Sequence, residues 1–226
     1  MRIHPATGRC TLSERAAALA HQFDDLGQQH QAASLGMWVF LATEIMFFGG
    51  LFAGYAVYRS AYSRAFAESS HHLDIILGGV NTAVLLCSSL TMALAVRSAQ
   101  LNRRRAIVLF LIATMVLGAV FLGVKFVEYR HKYEERLIPG PGFHLEAPQA
   151  QHAQLFFSFY FVMTGMHALH MVIGVPMLGV MGWLAFRGRF SRHYYSPVEM
   201  AGLYWHFVDI VWVFLFPMLY LIDRAG

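Results

Sequence analysis

The chain has 226 residues, of which 57% are apolar and 13% charged, with 17 Lys and Arg against 13 Asp and Glu. Soluble domains draw about a quarter of their residues from the charged types. Here the deficit falls in blocks, which excludes an ordinary soluble domain and points to a membrane protein. The formal net charge of +4 does not indicate a nucleic-acid partner, because the arginines stand at the ends of apolar segments and form no stripe with interleaved aromatics. Membrane-flanking charge is the reading that fits.

Residues 1–33 form a polar tail with no short apolar core and no small-residue cleavage site, so no cleaved secretory signal is expected. Within it, Leu12 to Leu26 places apolar residues at roughly helical spacing, with Ser13 as a start cap, and predicts a short surface helix. Five apolar stretches follow, at about Ser34 to Tyr58, Asp74 to Val96, Ala106 to Val127, Ala153 to Phe186 and Met200 to Ile222. Each reaches the roughly 20 residues that cross a bilayer core as a helix. The predicted fold is therefore all-α, a polytopic bundle of five transmembrane helices, with residues 34–226 forming one membrane domain. The fourth stretch is longer than one crossing needs and contains Pro176, the expected site of a bend. Cys10 and Cys87 lie in the tail and in a span, without paired spacing, and neither suggests zinc or a redox motif.

With five crossings, the tail, the second loop and the fourth loop share one side. That side carries ten arginines, among them Arg97, Arg103, Arg104, Arg105, Arg187 and Arg189, whereas the other side mixes seven basic residues, Lys125 included, with acids such as Glu128. The excess of basic charge predicts a cytoplasmic N-terminus and an outer C-terminus. The Pro- and Gly-rich loop from Leu137 to Pro148 then lies outside, where a plain connection is the expectation. Arg103 to Arg105 are expected to meet anionic headgroups, and Trp38 to anchor near a span end at headgroup level.

Ionisable side chains at bilayer depth cost about 2.5 to 3.5 kcal/mol on insertion scales and need a partner or a purpose. Glu44 lies in Ala-Thr-Glu-Ile-Met-Phe-Phe in the first stretch, His167 and His170 in the fourth, and His206 and Asp209 in the last. The histidine pair and the His–Asp pair are each three residues apart and so share a helix face. A metal site would need more ligands than this, since no thiolate or dense carboxylate set accompanies them. Interhelical hydrogen bonds, from histidine to Glu44 or to Asp209, are the expected use. Gly49, Gly50, Gly54, Gly78 and Gly79 are expected to provide close-packing surfaces.

Four segments resemble the subunit III family of haem-copper oxidases in order and spacing. They are Leu35-Gly-Met-Trp-Val-Phe-Leu-Ala-Thr-Glu-Ile-Met-Phe-Phe, Asn81-Thr-Ala-Val-Leu-Leu-Cys-Ser-Ser, Tyr160-Phe-Val-Met-Thr-Gly-Met-His-Ala-Leu-His and Tyr204-Trp-His-Phe-Val-Asp-Ile-Val-Trp. The resemblance covers nearly everything from Leu35 to Leu221 and matches the short five-helix bacterial form, starting at what would be the third helix of seven-helix members. It implies a multi-pass subunit of the bacterial cytoplasmic membrane, bound to oxidase subunits I and II in a proton-pumping complex that takes electrons from cytochrome c. It also implies that haem and copper belong to the partner subunits, with none in this chain, and that phospholipid binds here. Glu44 would match the family's membrane-embedded carboxylate, and His167, His170, His206 and Asp209 its structural, lipid-related or proton-supporting polar residues, with no catalytic residue in the chain. No Cys-x-x-Cys-His attachment site for c-type haem is present. Two alternatives compete with this reading. One is an accessory protein of a nitric oxide reductase system. The other is a small transporter, disfavoured by the lack of an inverted repeat.

Overall fold

The computed structural model describes residues 21–140, 143, 150–190 and 194–222. Six α-helices account for nearly all of them: α1 (Leu26–Ala61), α2 (Ser63–Ser70), α3 (Ile75–Gln100), α4 (Arg104–Glu134), α5 (Ala150–Phe186) and α6 (Ser196–Tyr220). All but the short α2 are long and apolar enough to cross a membrane, as the sequence predicts. Most of the expected surface helix from Leu12 to Leu26 lies outside the described residues, and Gln22 to Asp25 are not helical. The outer loop from Leu137 to Pro148 is likewise described only at Leu137 to Gly140 and at Phe143.

Local chemistry sets the helix ends. The Asp25 carboxylate accepts from the Gln28 N–H at 2.7 Å to start α1, and Asp74 accepts from the N–H groups of Ile76 and Leu77 to start α3. These are the donors that a helix start leaves unpaired. Pro197 opens α6, where a missing N–H costs nothing. At the end of α5, Arg104 reaches from α4 to donate from Nε to the Ala185 carbonyl at 3.1 Å, and Gly188 turns the chain with φ of 74°. Pro176 lies inside α5, and the helix is continuous through it.

Two helices differ from the sequence reading in extent. α1 begins two turns before Ser34, and α4 runs nearly two turns past Val127. The α2 helix is new. Its eight residues are too polar to read as a span, yet Ala65, Phe66, Ser69 and Ser70 are buried, with the Phe66 ring against Tyr55 of α1 and Phe156 of α5.

α6 is the centre of the bundle. Of its most apolar window 56% is buried, against 11% for α1, which leaves α1 the peripheral helix. α3 runs antiparallel to α6 along a polar seam: Trp205 Nε1 donates to Ser88 Oγ at 2.9 Å, Ser89 Oγ pairs with His206 Nδ1 at 2.7 Å, and Trp212 Nε1 donates to Thr82 Oγ1 at 3.0 Å. Two glycines make room for the Trp205 indole. A Cβ at Gly118 of α4 would come 2.8 Å from the indole, and one at Gly174 of α5 would come 3.0 Å from it. Three helices thus close on one aromatic plate, as small residues permit where lipid offers no hydrophobic drive. Gly78 also packs tightly, against Phe216 and Tyr220, whereas Gly49 and Gly50 meet nothing within 4 Å. The expectation of close packing does not hold at that pair.

Far from Trp205, α4, α5 and α6 are tied by charge. Lys125 and Glu128 are 2% and 4% exposed. Lys125 Nζ lies 2.9 Å from Glu128 Oε2 and donates to Tyr220 Oη at 2.7 Å. Glu128 Oε1 accepts from the hydroxyls of Tyr160 at 2.7 Å and Tyr220 at 2.5 Å. The ammonium also lies over the ring of Trp212, 4.9 Å from its centre, a favourable placement for a cation. Reading Lys125 and Glu128 as flanking charges of a loop is therefore corrected: they face the bundle interior, one helical turn apart on α4. Removing one member of such a pair strands the other, at a cost of about 3 to 5 kcal/mol, while replacing both by apolar groups costs much less. Thermal unfolding in detergent should therefore show Lys125→Met as strongly destabilised and Lys125→Met/Glu128→Leu as substantially recovered. A single variant as stable as the parent would show that the pair does not hold these helices.

Candidate functional site

The sequence points to five buried polar residues, and the structure distributes them over three places. The first joins α1 to α5. Glu44, midway along α1, places Oε2 3.2 Å from His170 Nε2. His170 Nδ1 faces the Met166 carbonyl at 2.8 Å, and a carbonyl only accepts, so Nδ1 carries a proton. A carboxylate facing an unprotonated Nε2 would set two acceptors against each other, so one proton must lie between Glu44 and His170. The pair is then either acid with neutral imidazole or carboxylate with imidazolium, and its net charge is zero in both forms. That suits a site at bilayer depth. Phe48 packs on the His170 ring at 5.5 Å between centres, and Tyr204 of α6 donates to the His170 carbonyl at 2.9 Å.

His167 goes elsewhere. A separation of three residues turns it by about 60° from His170, enough to carry it from the α1 side of α5 into the interior. There it is 1% exposed, between Phe121 of α4 at 5.3 Å and Trp212 of α6 at 5.1 Å. Neither ring nitrogen has a hydrogen-bond partner among the described residues. It packs as part of an aromatic layer and does not meet Glu44.

The third place is the seam between α3 and α6. His206 spends its Nδ1 on Ser89 and not on Asp209. Asp209, 3% exposed, has both carboxyl oxygens buried without a partner among the described residues. Of the interhelical pairings expected for histidine, the one to Glu44 forms, and no hydrogen bond to Asp209 accompanies it.

Trp38 projects outward from α1 with 60% exposure, nearly two turns before Glu44. Arg103, Arg104 and Arg105 are all exposed around the turn between α3 and α4, and Arg104 also reaches back to α5, capping Ala185 and lying over the Phe186 ring. Among the described residues, no three His, Cys, Asp or Glu side chains come together in a way that could hold a metal ion. The functional-looking groups that sequence reasoning missed are Lys125, Glu128 and Ser89. Lys125 had a signal, because it falls inside the third apolar stretch. Ser89 had none, since a lone serine in a span gives no hint of its partner.

Comparison with known proteins agrees with this architecture. A family model described as cytochrome c oxidase subunit III matches residues 24–223. The cytochrome c oxidase subunit 3 of Synechocystis sp. is 34% identical over 188 residues, covering 83% of this chain and 74% of that protein. That of Thermostichus vulcanus is 32% identical over 191 residues, covering 84% and 87%. The quinol oxidase subunit 3 of Bacillus subtilis is 30% identical over 194 residues, covering 85% and 88%. With a match that takes in all five long helices and both the Glu44–His170 pair and the seam of α6, the chain belongs to the cytochrome c oxidase subunit III family.

Proposed function

We propose that this chain is a non-redox subunit of a proton-pumping haem-copper terminal oxidase in a bacterial cytoplasmic membrane. It binds subunits I and II, which carry the haem and copper, in a complex that passes electrons from cytochrome c to dioxygen. The names of the relatives support an oxidase over a nitric oxide reductase system. Both cytochrome c and quinol oxidases occur among them, and the two at 34% and 32% identity are named for cytochrome c oxidase.

The observation that carries the reading is the Glu44–His170 contact. α1 is thinly packed, and polar ties hold it to the bundle near both ends and in the middle: His30 to Ser196 at 3.1 Å, Glu44 to His170, and the Tyr55 hydroxyl to the Met218 carbonyl at 2.6 Å. The middle tie keeps α1 in register while its apolar face, with Val39, Ile45 and Met46 exposed, turns outward. Such a face suits phospholipid or a neighbouring apolar subunit. The pair would thereby stabilise the catalytic subunit and preserve its lipid and proton environment.

Two variants separate the structural role from the proton role. Glu44→Gln keeps a donor toward His170 but cannot titrate, so turnover, pumping or resistance to turnover inactivation should fall while the subunit stays bound. All three unchanged would leave Glu44 a purely structural latch. His170→Ala breaks the tie, and the subunit should be lost from the complex on detergent extraction; full retention would contradict the latch itself. The cytoplasmic placement of the N-terminus rests on the basic residues gathered at the ends of α3 and α5 and the start of α4. A periplasm-dependent reporter fused at the C-terminus should be active, and an inactive one would reverse the orientation.

A further inference from the structure

The seam between α3 and α6 holds a polar line that the Glu44–His170 contact does not touch. At the end of the bundle bearing the basic loops, a cavity of about 410 Å³ opens between the two helices, and its polar lining is Arg97, Gln100, Glu199 and His206. Glu199 keeps Oε2 buried there without a partner among the described residues. His206 lines the cavity and pairs with Ser89 Oγ through Nδ1 at 2.7 Å. Asp209 follows three residues after His206, on the same face of α6 along this seam, and its carboxyl oxygens make no hydrogen bond among the described residues. Asp209 is not part of the cavity wall and is nearly fully buried.

A carboxyl at this depth with no partner is costly as a bare anion. Among the described residues, the groups around it offer no cation to pair with it. On α3, Arg97 sits more than two turns away at the cavity mouth. On α6, Glu199 is at that mouth and His206 is tied to Ser89. On α4, Lys125 and Glu128 are closed on each other and on Tyr160 and Tyr220. On α5, His167 is held between Phe121 and Trp212, and His170 is paired with Glu44. Among the described residues, the partner left to Asp209 is a proton.

We propose that Asp209 is a proton-binding site, loaded from the cavity between α3 and α6 through His206 and Ser89. In the empty state His206 carries its proton on Nδ1, which donates to Ser89 Oγ, while the Ser89 hydroxyl points to the Asp209 carboxylate. A proton from the cavity binds His206 Nε2. The Nδ1 proton passes to Ser89 Oγ, and the Ser89 hydroxyl proton passes to Asp209. The result is a neutral acid donating to Ser89, and a Ser89 hydroxyl donating to the now unprotonated Nδ1. One proton enters and one is bound, and release runs the same steps backwards. No hydrogen bond leads onward from Asp209 among the described residues, because Trp212 gives its N–H to Thr82 and packs against Phe121. The line proposed here runs from the cavity to Asp209. This holds whichever electron donor the complex uses.

Infrared spectroscopy of the purified complex with this subunit bound tests the site. The parent should show a protonated-carboxyl stretch that disappears in Asp209→Asn and shifts promptly in heavy water. Ser89→Ala should keep that band but slow its exchange by about a hundredfold, the scale of a lost positioned proton carrier. Ser89→Thr, which keeps the hydroxyl, should restore prompt exchange. A spectrum unchanged in Asp209→Asn, or exchange in Ser89→Ala as fast as in the parent, overturns the proposal. Should Asp209→Asn fail to assemble, the Ser89 variants alone decide it: equal exchange in alanine and threonine forms is fatal, and a slow alanine form supports it.

Discussion

Lipid offers no hydrogen bonds, and that constraint governs this bundle. A polar side chain drawn into the hydrocarbon must find a partner, take up a proton, or stay costly. Each solution is visible at a different depth. Lys125 and Glu128 neutralise each other and are enclosed by two tyrosine hydroxyls. Glu44 and His170 share one proton and carry no net charge. The tryptophans of α6 give their N–H groups to hydroxyls of α3. The Lys125–Glu128 pair lies within α4, but its tyrosine partners and the other contacts cross between helices, so satisfying the polar groups also fixes which helices are neighbours.

α6 collects most of these contacts, and its place at the centre follows from them. Its two tryptophans are large enough to touch α3, α4 and α5 at once, provided that glycines stand opposite, as Gly118 and Gly174 do at Trp205. α1 is the counterpart at the periphery, held at few points and presenting an apolar face outward. A subunit with a tight inner core and one loosely held helix is suited to line a larger complex, where lipid or a neighbouring chain completes the outer helix.

The number and order of the long helices were legible in the sequence because twenty-residue apolar blocks have no other stable use. Glu44 and His170 were legible for a related reason: a lone charge in such a block demands a partner, and few candidates exist. What escaped were features set by three-dimensional pairing. The α2 helix is short and polar, and only its docking on Phe156 and Tyr55 buries it. The extension of α4 past Val127 is polar, with Arg130 paired to Glu134 at its surface and Lys132 donating to the His72 carbonyl at 2.7 Å, contacts that hydrophobicity does not report. Spacing alone suggested that His167 and His170 act together, but a 60° turn on a helix wedged between two neighbours is enough to send them to different partners. The role of Ser89 depends wholly on where α6 lies.

The central claim is that this bundle is built to complete a haem-bearing oxidase. Extraction of the native complex in mild detergent, with identification of the proteins that travel with this chain and an optical spectrum of the fraction, tests it most directly. The account predicts co-purification with haem- and copper-bearing subunits I and II and an oxidase spectrum. Recovery of the chain as a folded, colourless protein free of such partners would contradict it.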